Sequence, residues 1–238
     1  MSTQRSDVVE AAHVLSRLGL VTAYGHVSTR AGTSMLITPA ADLGSVSEAE
    51  IVDVPLEASA LPSRAPAEAW AHLALYRARP DAGSIARAQP PGAFAAAATT
   101  TSLTPLHGQA TWLGESIPVH DSALLLRSPA LAEGAARRLA VGEGLLLRGN
   151  GAITLGASPG IAVARMWLLA VACDVYLAAR AAGQVRPLAP EETASWRAVG
   201  DELLPRLWHH LRRNGAGGPP GPAVVDGWQP RSAGASPG

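Results

Sequence analysis

The longest apolar segment of the chain, residues 161–179, constrains the fold most strongly. It is interrupted by Arg165 and Asp174, and both charges are costly in the middle of a bilayer. Ser158 and Pro159 precede the segment, and proline is favoured in the first turn of a helix. The pattern predicts a helix that reaches about residue 182 and is buried in the core of a globular domain.

The rest of the chain alternates between helical and strand-like patterns. Asp7 and Glu10 begin an amphipathic helix that stops at Gly19, and Pro66 begins a helix that ends before Pro80. Further helices are predicted at 92–100, 129–140 and 190–213, and strands at 34–38, 51–55, 84–88, 117–120, 144–148 and 152–155. This order favours an α/β fold with three α/β/α layers, in which helices cover a single central β-sheet.

The C-terminal residues differ in composition from the rest of the chain. From residue 214 onward, glycine and proline are too frequent for regular structure. We therefore expect one domain over residues 1–213, followed by a disordered tail over residues 214–238.

Residue usage excludes several classes of function. The 238 residues include 19 acidic and 19 basic side chains, and every basic one is arginine. Without lysine, the chain cannot form a Schiff base or build a Walker-type phosphate loop. Zero net charge, with no run of arginines among aromatic residues, argues against a nucleic-acid partner. The lone Cys173 cannot build a disulfide or a thiolate zinc site within one chain, and it is predicted to be a small buried residue.

The N-terminal sequence bears on localisation. It carries Asp7 and Glu10 and has no apolar segment followed by a small-residue cleavage site, so we expect no signal peptide. Together with the buried position predicted for the apolar segment 161–179, this indicates a cytoplasmic protein with no membrane partner.

Four blocks of residues, taken in order, resemble the class II aldolase/adducin family. They are GHVSTR at 25–30, MLITP at 35–39, PSRAPAEAWAHLALYRARPD at 62–81 and LLLRGNG at 145–151. The corresponding family features are a Gly-Asn-Val-Ser-x-Arg turn, an Ile-Thr-Pro strand end, a helix with Glu and His four residues apart, and a Leu-Leu-x-Asn-His-Gly strand and turn. The resemblance runs from Asp7 to Ala182, and it implies the family's fold and a homo-oligomer, commonly a tetramer, with pockets at subunit boundaries.

The resemblance also implies where the active site lies. Family enzymes hold a divalent metal with three histidines, and these positions correspond here to Arg87, Gln89 and Asn150, whereas the family's acid/base glutamate is kept as Glu68. Arginine offers only N–H donors and each amide only one neutral oxygen, so we expect no metal and no other cofactor. Arg87 would instead place a fixed positive charge near the metal position, where the amides of Gln89 and Asn150 could help to bind a carboxylate or oxyanion. Glu68 and Arg87 are the predicted catalytic residues.

Five further residues are candidates for substrate binding. His26, Ser28 and Arg30 belong to the first block, and His26 and Arg30 could meet an anionic group or only stabilise a turn. His107 and His120 fall on segments that lie near the pocket in relatives, and each could be a second acid/base group or a structural residue. No Asp and His pattern accompanies Ser28, so a hydrolase triad is not expected.

The family's phosphate cradle is largely missing from the sequence. Its Thr-Gly and Ser-Ser pairs correspond here to AA at 40–41 and PA at 66–67. Because most of the cradle's donors are absent, a sugar phosphate is not the expected substrate.

Two functions from different classes remain open. The first is a carbon–carbon lyase that performs retro-aldol cleavage or decarboxylation of a small carboxylated or hydroxylated molecule, with Glu68 moving the proton. The second is a non-catalytic binding or scaffold protein of the adducin type. Separately, Arg87 and Glu68 could form only a buried ion pair that fills the vacated metal cavity. A third interpretation is a metal held by Glu68 together with His107 or His120.

Overall fold

A single eight-stranded mixed sheet runs through the structure, a computed structural model that describes residues 2–214. Its strands are β1 His26–Ala31, β2 Ser34–Ile37, β3 Val52–Pro55, β4 Ser84–Ala88, β5 Ser102–Leu103, β6 Ile117–His120, β7 Gly144–Leu147 and β8 Gly151–Gly156. Their order across the sheet is β3-β2-β1-β4-β8-β7-β6-β5. Every neighbouring pair is antiparallel except β6 and β7, which are parallel. Strands β1 and β4 therefore lie inside the sheet, paired on both edges.

Helices cover both faces of this sheet. They are α1 Ser2–Arg17, α2 Ala69–Ala78, α3 Pro91–Thr99, α4 Pro129–Arg138, α5 Pro159–Ala182, α6 Pro190–Ala198 and α7 Gly200–Asn214, with 3₁₀ turns at Glu48–Glu50 and Gly108–Leu113. Helices α2 and α4 bury one apolar core against the sheet, and α1, α3 and α5 bury the other. The predicted α/β/α architecture is confirmed.

The alternation of side chains along β4 positions the polar residues of the sheet. Ala86 and Ala88 belong to the core beneath α1, α3 and α5, whereas Ile85 belongs to the core beneath α2 and α4. Because successive side chains of a strand point to opposite faces, Arg87 lies on the Ile85 face. The register places Arg87 directly opposite His26 of β1.

Helix α5 is the central core helix of the other face. It is long and apolar enough to cross a membrane by length and composition, but 56% of its most apolar window is buried inside the protein. Arg165 donates hydrogen bonds to Glu143 and to the carbonyl of Leu155, so its charge is partnered. Cys173 is fully buried, as predicted, and burial raises the pKa of its thiol.

Local predictions were wrong at several element boundaries. Residues 25–30 were expected to form a turn, but most of this block is β1, because its backbone pairs with β2 on one edge and β4 on the other. The helix expected from Pro66 begins only at Ala69. Asn214 is the last residue of α7 and not the start of the tail, and the rest of the predicted tail, 215–238, lies outside the described residues.

The helix predicted over 190–213 is divided into α6 and α7. The indole N–H of Trp112 donates to the carbonyl of Trp196, 2.7 Å away. Gly200 lies against the ring of Trp112, where an added Cβ would come within 2.9 Å of the ring. This contact with a distant tryptophan accompanies the end of α6 and the start of α7, and it is not visible in the local pattern.

Candidate active site

A cavity of about 510 Å³ opens at the end of the central strands β1 and β4. Its lining combines the start of β1, the residues just before α2, the end of β4, the turn between β7 and β8, and the loop between β6 and α4. The lining residues are Ala23, Tyr24, His26, Ala40, Glu68, Arg87, Gln89, Leu125, Arg127, Gly149 and Asn150. The structure thus brings together five residues that the sequence singled out: His26, Glu68, Arg87, Gln89 and Asn150.

Arg87 is the most deeply buried cation of the cavity, with only 2% of its surface exposed. Its Nη2 donates to Oδ1 of Asn150 at 2.5 Å. Burial lowers the pKa of Arg87, and the nearby charge of Glu68 opposes this effect. A guanidinium keeps its proton in proteins, so Arg87 supplies a fixed positive charge.

Glu68 lies immediately before the first residue of α2, where the helix dipole favours a negative charge. Its Oε1 accepts a hydrogen bond from Nε of Arg127 at 2.8 Å. Burial alone would raise the pKa of Glu68, but the hydrogen bond from Arg127 and the charges of Arg127 and Arg87 together lower it below its usual value. The carboxylate is therefore ionised at neutral pH, which is the form that a general base requires.

The sequence analysis did not identify Arg127. This residue lies in the loop before α4, and 53% of its side chain is exposed. It is the direct ionic partner of Glu68, whereas Arg87 forms no ion pair within 4.0 Å in the part of the chain that the structure describes. The buried Arg87–Glu68 ion pair, which was the alternative to a working pocket, is thus not formed within 4.0 Å. No local pattern marks Arg127, because only the path of its loop brings it to Glu68.

His26 lies between Glu68 and the second strand. Its Nε2 is 4.0 Å from Oε2 of Glu68, and its Nδ1 is 3.4 Å from Oγ1 of Thr38. Burial and the charge of Arg87 lower the pKa of His26 to about 4, which outweighs the opposing effect of Glu68. At neutral pH the ring is uncharged and can exchange hydrogen bonds with a ligand without adding charge to the cavity.

Two buried donors of the cavity residues lack a protein partner. Nε of Arg87 and Nδ2 of Asn150 meet no hydrogen-bond acceptor among residues 2–214. Leaving such groups unpaired costs about 1–3 kcal/mol each, and a bound ligand with suitable oxygens would recover that cost. Both donors belong to residues that line the cavity, and neither is used by a hydrogen bond within residues 2–214.

The other predicted substrate-binding residues lie outside the lining of the cavity. Ser28 is buried under α2, and Arg30 donates to main-chain carbonyls and stacks on the ring of Tyr76 with a 4.9 Å separation. His107 precedes the 3₁₀ turn Gly108–Leu113, and His120 ends β6. Neither histidine lines the cavity with Glu68.

Ser28 connects two buried polar side chains of α2. Its hydroxyl lies 2.7 Å from Nδ1 of His72 and 2.9 Å from the hydroxyl of Tyr76. Both partners are almost fully buried, and burial lowers the pKa of His72 well below its usual value, so its ring is neutral. These contacts give Ser28 a structural position beneath the cavity.

We predict that Ser28→Ala lowers the free energy of unfolding by about 1–3 kcal/mol, because two buried polar groups lose their common partner. Urea denaturation followed by tryptophan fluorescence measures the change. Ser45→Ala, at an exposed loop position, is the matched control and should leave the unfolding midpoint in place. An unchanged midpoint with weakened ligand binding would instead give Ser28 the substrate-binding role.

Over residues 6–177 the sequence matches the family described as Class II Aldolase and Adducin N-terminal domain. The chain therefore belongs to this family. No curated protein sequence matches the chain significantly.

Solved structures show the same fold. L-fuculose 1-phosphate aldolase superposes with a TM-score of 0.77 at 22% identity, and the match covers 83% of this chain and 96% of that chain. L-fuculose-1-phosphate aldolase from Thermus thermophilus gives 0.70 at 24% identity, covering 79% and 100%. An aldolase II superfamily protein from Pseudomonas syringae gives 0.74 at 19% identity, covering 90% and 92%.

The cavity residues do not suit the divalent metal that the family resemblance implies. Arg87 has only donors, and the single oxygen of the Asn150 side chain already accepts from Arg87. Glu68 is engaged by Arg127. Among the lining residues this leaves the imidazole of His26 and one weak neutral oxygen of Gln89, too few strong ligands for a zinc-type site. Among residues 2–214, no group of three or more His, Cys, Asp or Glu side chains is arranged to hold a metal.

Proposed function

We propose that the protein is a carbon–carbon lyase that performs retro-aldol cleavage or decarboxylation of a small carboxylated or hydroxylated substrate without a divalent metal. The observation that carries the proposal is the buried guanidinium of Arg87, unpaired by any carboxylate of residues 2–214, in the same cavity as the ionised Glu68. Family membership supports lyase chemistry, and the neighbouring aldolase structures support a small-molecule substrate. We also propose a cytoplasmic homo-oligomer, as the family resemblance implies.

In retro-aldol cleavage, Glu68 takes the proton of a hydroxyl group that is β to a carbonyl. The carbon–carbon bond then breaks, an aldehyde or ketone leaves, and the electron pair moves onto the carbonyl oxygen as an enolate. Arg87 and Nδ2 of Asn150 stabilise this oxyanion, and Glu68 returns its proton to the enolate carbon. In decarboxylation the same enolate forms as carbon dioxide leaves, and a proton from water completes the product.

The donors around Arg87 supply the electrophilic part of the reaction. Removing one preorganised donor from an oxyanion site typically costs about 10²–10³ in rate, because the site excludes water and needs no reorganisation. Arg87 adds a full charge to this effect in a place where only 2% of its surface is exposed. The pair Arg87–Asn150 can therefore stabilise an enolate.

The experiment that tests the proposal is turnover without metal. Protein purified without an affinity tag or chelator should contain well below one equivalent of Zn, Mn, Fe or Co. It should cleave members of a panel of β-hydroxy carbonyl acids and β-keto acids at rates that a strong chelator leaves unchanged. A family aldolase that retains the three histidines is the control and should lose its activity.

Two outcomes would contradict the proposal. If the protein contains about one equivalent of metal and a chelator lowers its turnover, it is a metal-dependent lyase. Ligand binding with no turnover of any panel member, before or after metal addition, would support the scaffold alternative.

A further inference from the structure

The cavity has an apolar side as well as a charged one. Ala23, Tyr24, Ala40 and Leu125 line it together with the polar residues. Tyr24 and Leu125 are also among the large apolar side chains that remain exposed, at 65% and 47%. Large exposed apolar groups at a cavity are typical of a surface that binds the apolar part of a ligand.

The charged side of the cavity carries a small net charge. Arg87 and Arg127 contribute two positive charges and the ionised Glu68 one negative charge, while His26 is neutral because its pKa is about 4. The sum, one positive charge, matches a monoanion. A phosphate dianion would leave one negative charge unbalanced near Glu68.

The size of the cavity adds a third constraint. Its volume of about 510 Å³ falls within the range of about 300–1,000 Å³ typical of sites for drug-sized ligands. A three-carbon acid bound at Arg87 and Asn150 would fill only a small part of this space. The remaining space borders the apolar side chains of Tyr24 and Leu125.

We propose that the site takes a monocarboxylate with an aryl or branched alkyl body. Its carbonyl oxygen meets Arg87 and Asn150, its carboxylate meets Arg127 and Arg87, and its apolar body packs on Tyr24 and Leu125. This inference rests on the proposed function, and it names the substrate class of the same site. For the retro-aldol reaction, the leaving fragment is an apolar aldehyde or ketone.

Isothermal titration of the full-length protein with phenylpyruvate and pyruvate tests the substrate class. Neither compound carries the hydroxyl group on which Glu68 acts, so binding is measured without turnover. Phenylpyruvate should bind about tenfold more tightly or better, from burial of its ring. 2-Phenylethanol, which lacks the carboxylate, and dihydroxyacetone phosphate should bind more weakly than phenylpyruvate.

Variants of two adjacent leucines test whether the apolar body of the ligand binds in the cavity. Leu125→Ser should weaken phenylpyruvate about tenfold and leave pyruvate unchanged, because only the apolar body loses a contact. Leu124→Ser is the matched control: Leu124 is 61% exposed but does not line the cavity, so both affinities should stay the same. Equal affinities of the wild type for pyruvate and phenylpyruvate, or tighter binding of the phosphate, would overturn the substrate class.

Failure of this inference is distinguishable from failure of the proposed function. The relative affinities of phenylpyruvate and pyruvate test the ligand class alone, whereas metal-independent turnover tests the reaction. A protein that prefers phenylpyruvate but has no lyase activity would retain the binding site and lose the reaction assigned to it.

Discussion

Glu68→Gln should lower kcat by about 10²–10⁴, the usual contribution of a positioned acid/base group, while the protein still unfolds cooperatively. Glutamine keeps the shape of the side chain and one oxygen for the hydrogen bond from Arg127, but it cannot take a proton. Steady-state kinetics on the substrate found in the panel gives the loss, and circular dichroism confirms the fold. Unchanged turnover would remove Glu68 from the mechanism.

A control variant and the pH profile test whether the loss of activity in Glu68→Gln comes from the Glu68 carboxylate itself. Glu133→Gln removes an exposed carboxylate of α4 outside the cavity and should leave kcat unchanged. Because the pKa of Glu68 is lowered, wild-type activity should persist as the pH falls towards 4.5, the ordinary value for glutamate, and decline only below it. Stability should follow the same sign, since the ionised Glu68 stabilises the fold above its unfolded pKa and this contribution is lost as the pH falls through the folded pKa.

Arg87→Met should lower kcat/KM by at least about 10²–10³, because the developing oxyanion loses its buried charge and its donors. The same change should weaken carboxylate binding. It should also move the acid limb of the pH profile to higher pH, since the charge of Arg87 helps to lower the pKa of Glu68. A shifted acid limb with unchanged carboxylate binding would show that Arg87 acts only through the pKa of Glu68.

The matched control for Arg87 is Arg148→Met. Arg148 is exposed beside the same turn and binds Asp121, but it does not line the cavity, so its loss should leave kcat/KM and the pH profile unchanged. Arg87→Lys keeps the charge without the planar donors and should retain part of the activity. Activity of Arg87→Met equal to wild type would contradict the charge-based mechanism. Circular dichroism checks that Arg87→Met still folds, because this change leaves Oδ1 of Asn150 without its donor.

Much of the fold was predictable because it depends on short-range patterns. Apolar residues at helical spacing identified α1, and a long apolar stretch after Ser158 and Pro159 identified α5. The run at 84–88 identified β4 with its end residues. Residues 25–30 were assigned to a turn, since their strand conformation depends on pairing with β2 and β4. The two-residue strand β5 was missed, because its pairing with β6 is its only signal.

The residues of the candidate site also fall into those that the sequence identified and those that it missed. Glu68, Arg87 and Asn150 were found from the sequence because each falls within or between family-like blocks whose spacing is local. Arg127 was missed, since it meets Glu68 across 59 positions of chain. Tyr24 and Leu125 were missed as ligand contacts because only the folded chain brings them to the cavity.

The amino-acid order alone determined which segments become most of the helices and strands, the three-layer arrangement, and the presence of Arg87, Gln89 and Asn150 at positions where the family resemblance implies histidines. The tertiary structure decided the rest: Glu68 is held by Arg127 and not by Arg87, Ser28 supports α2 from below, and apolar side chains border the cavity. The physical reason is that hydrophobic periodicity is encoded over a few residues, whereas charge pairing and cavity shape depend on sheet register and loop path.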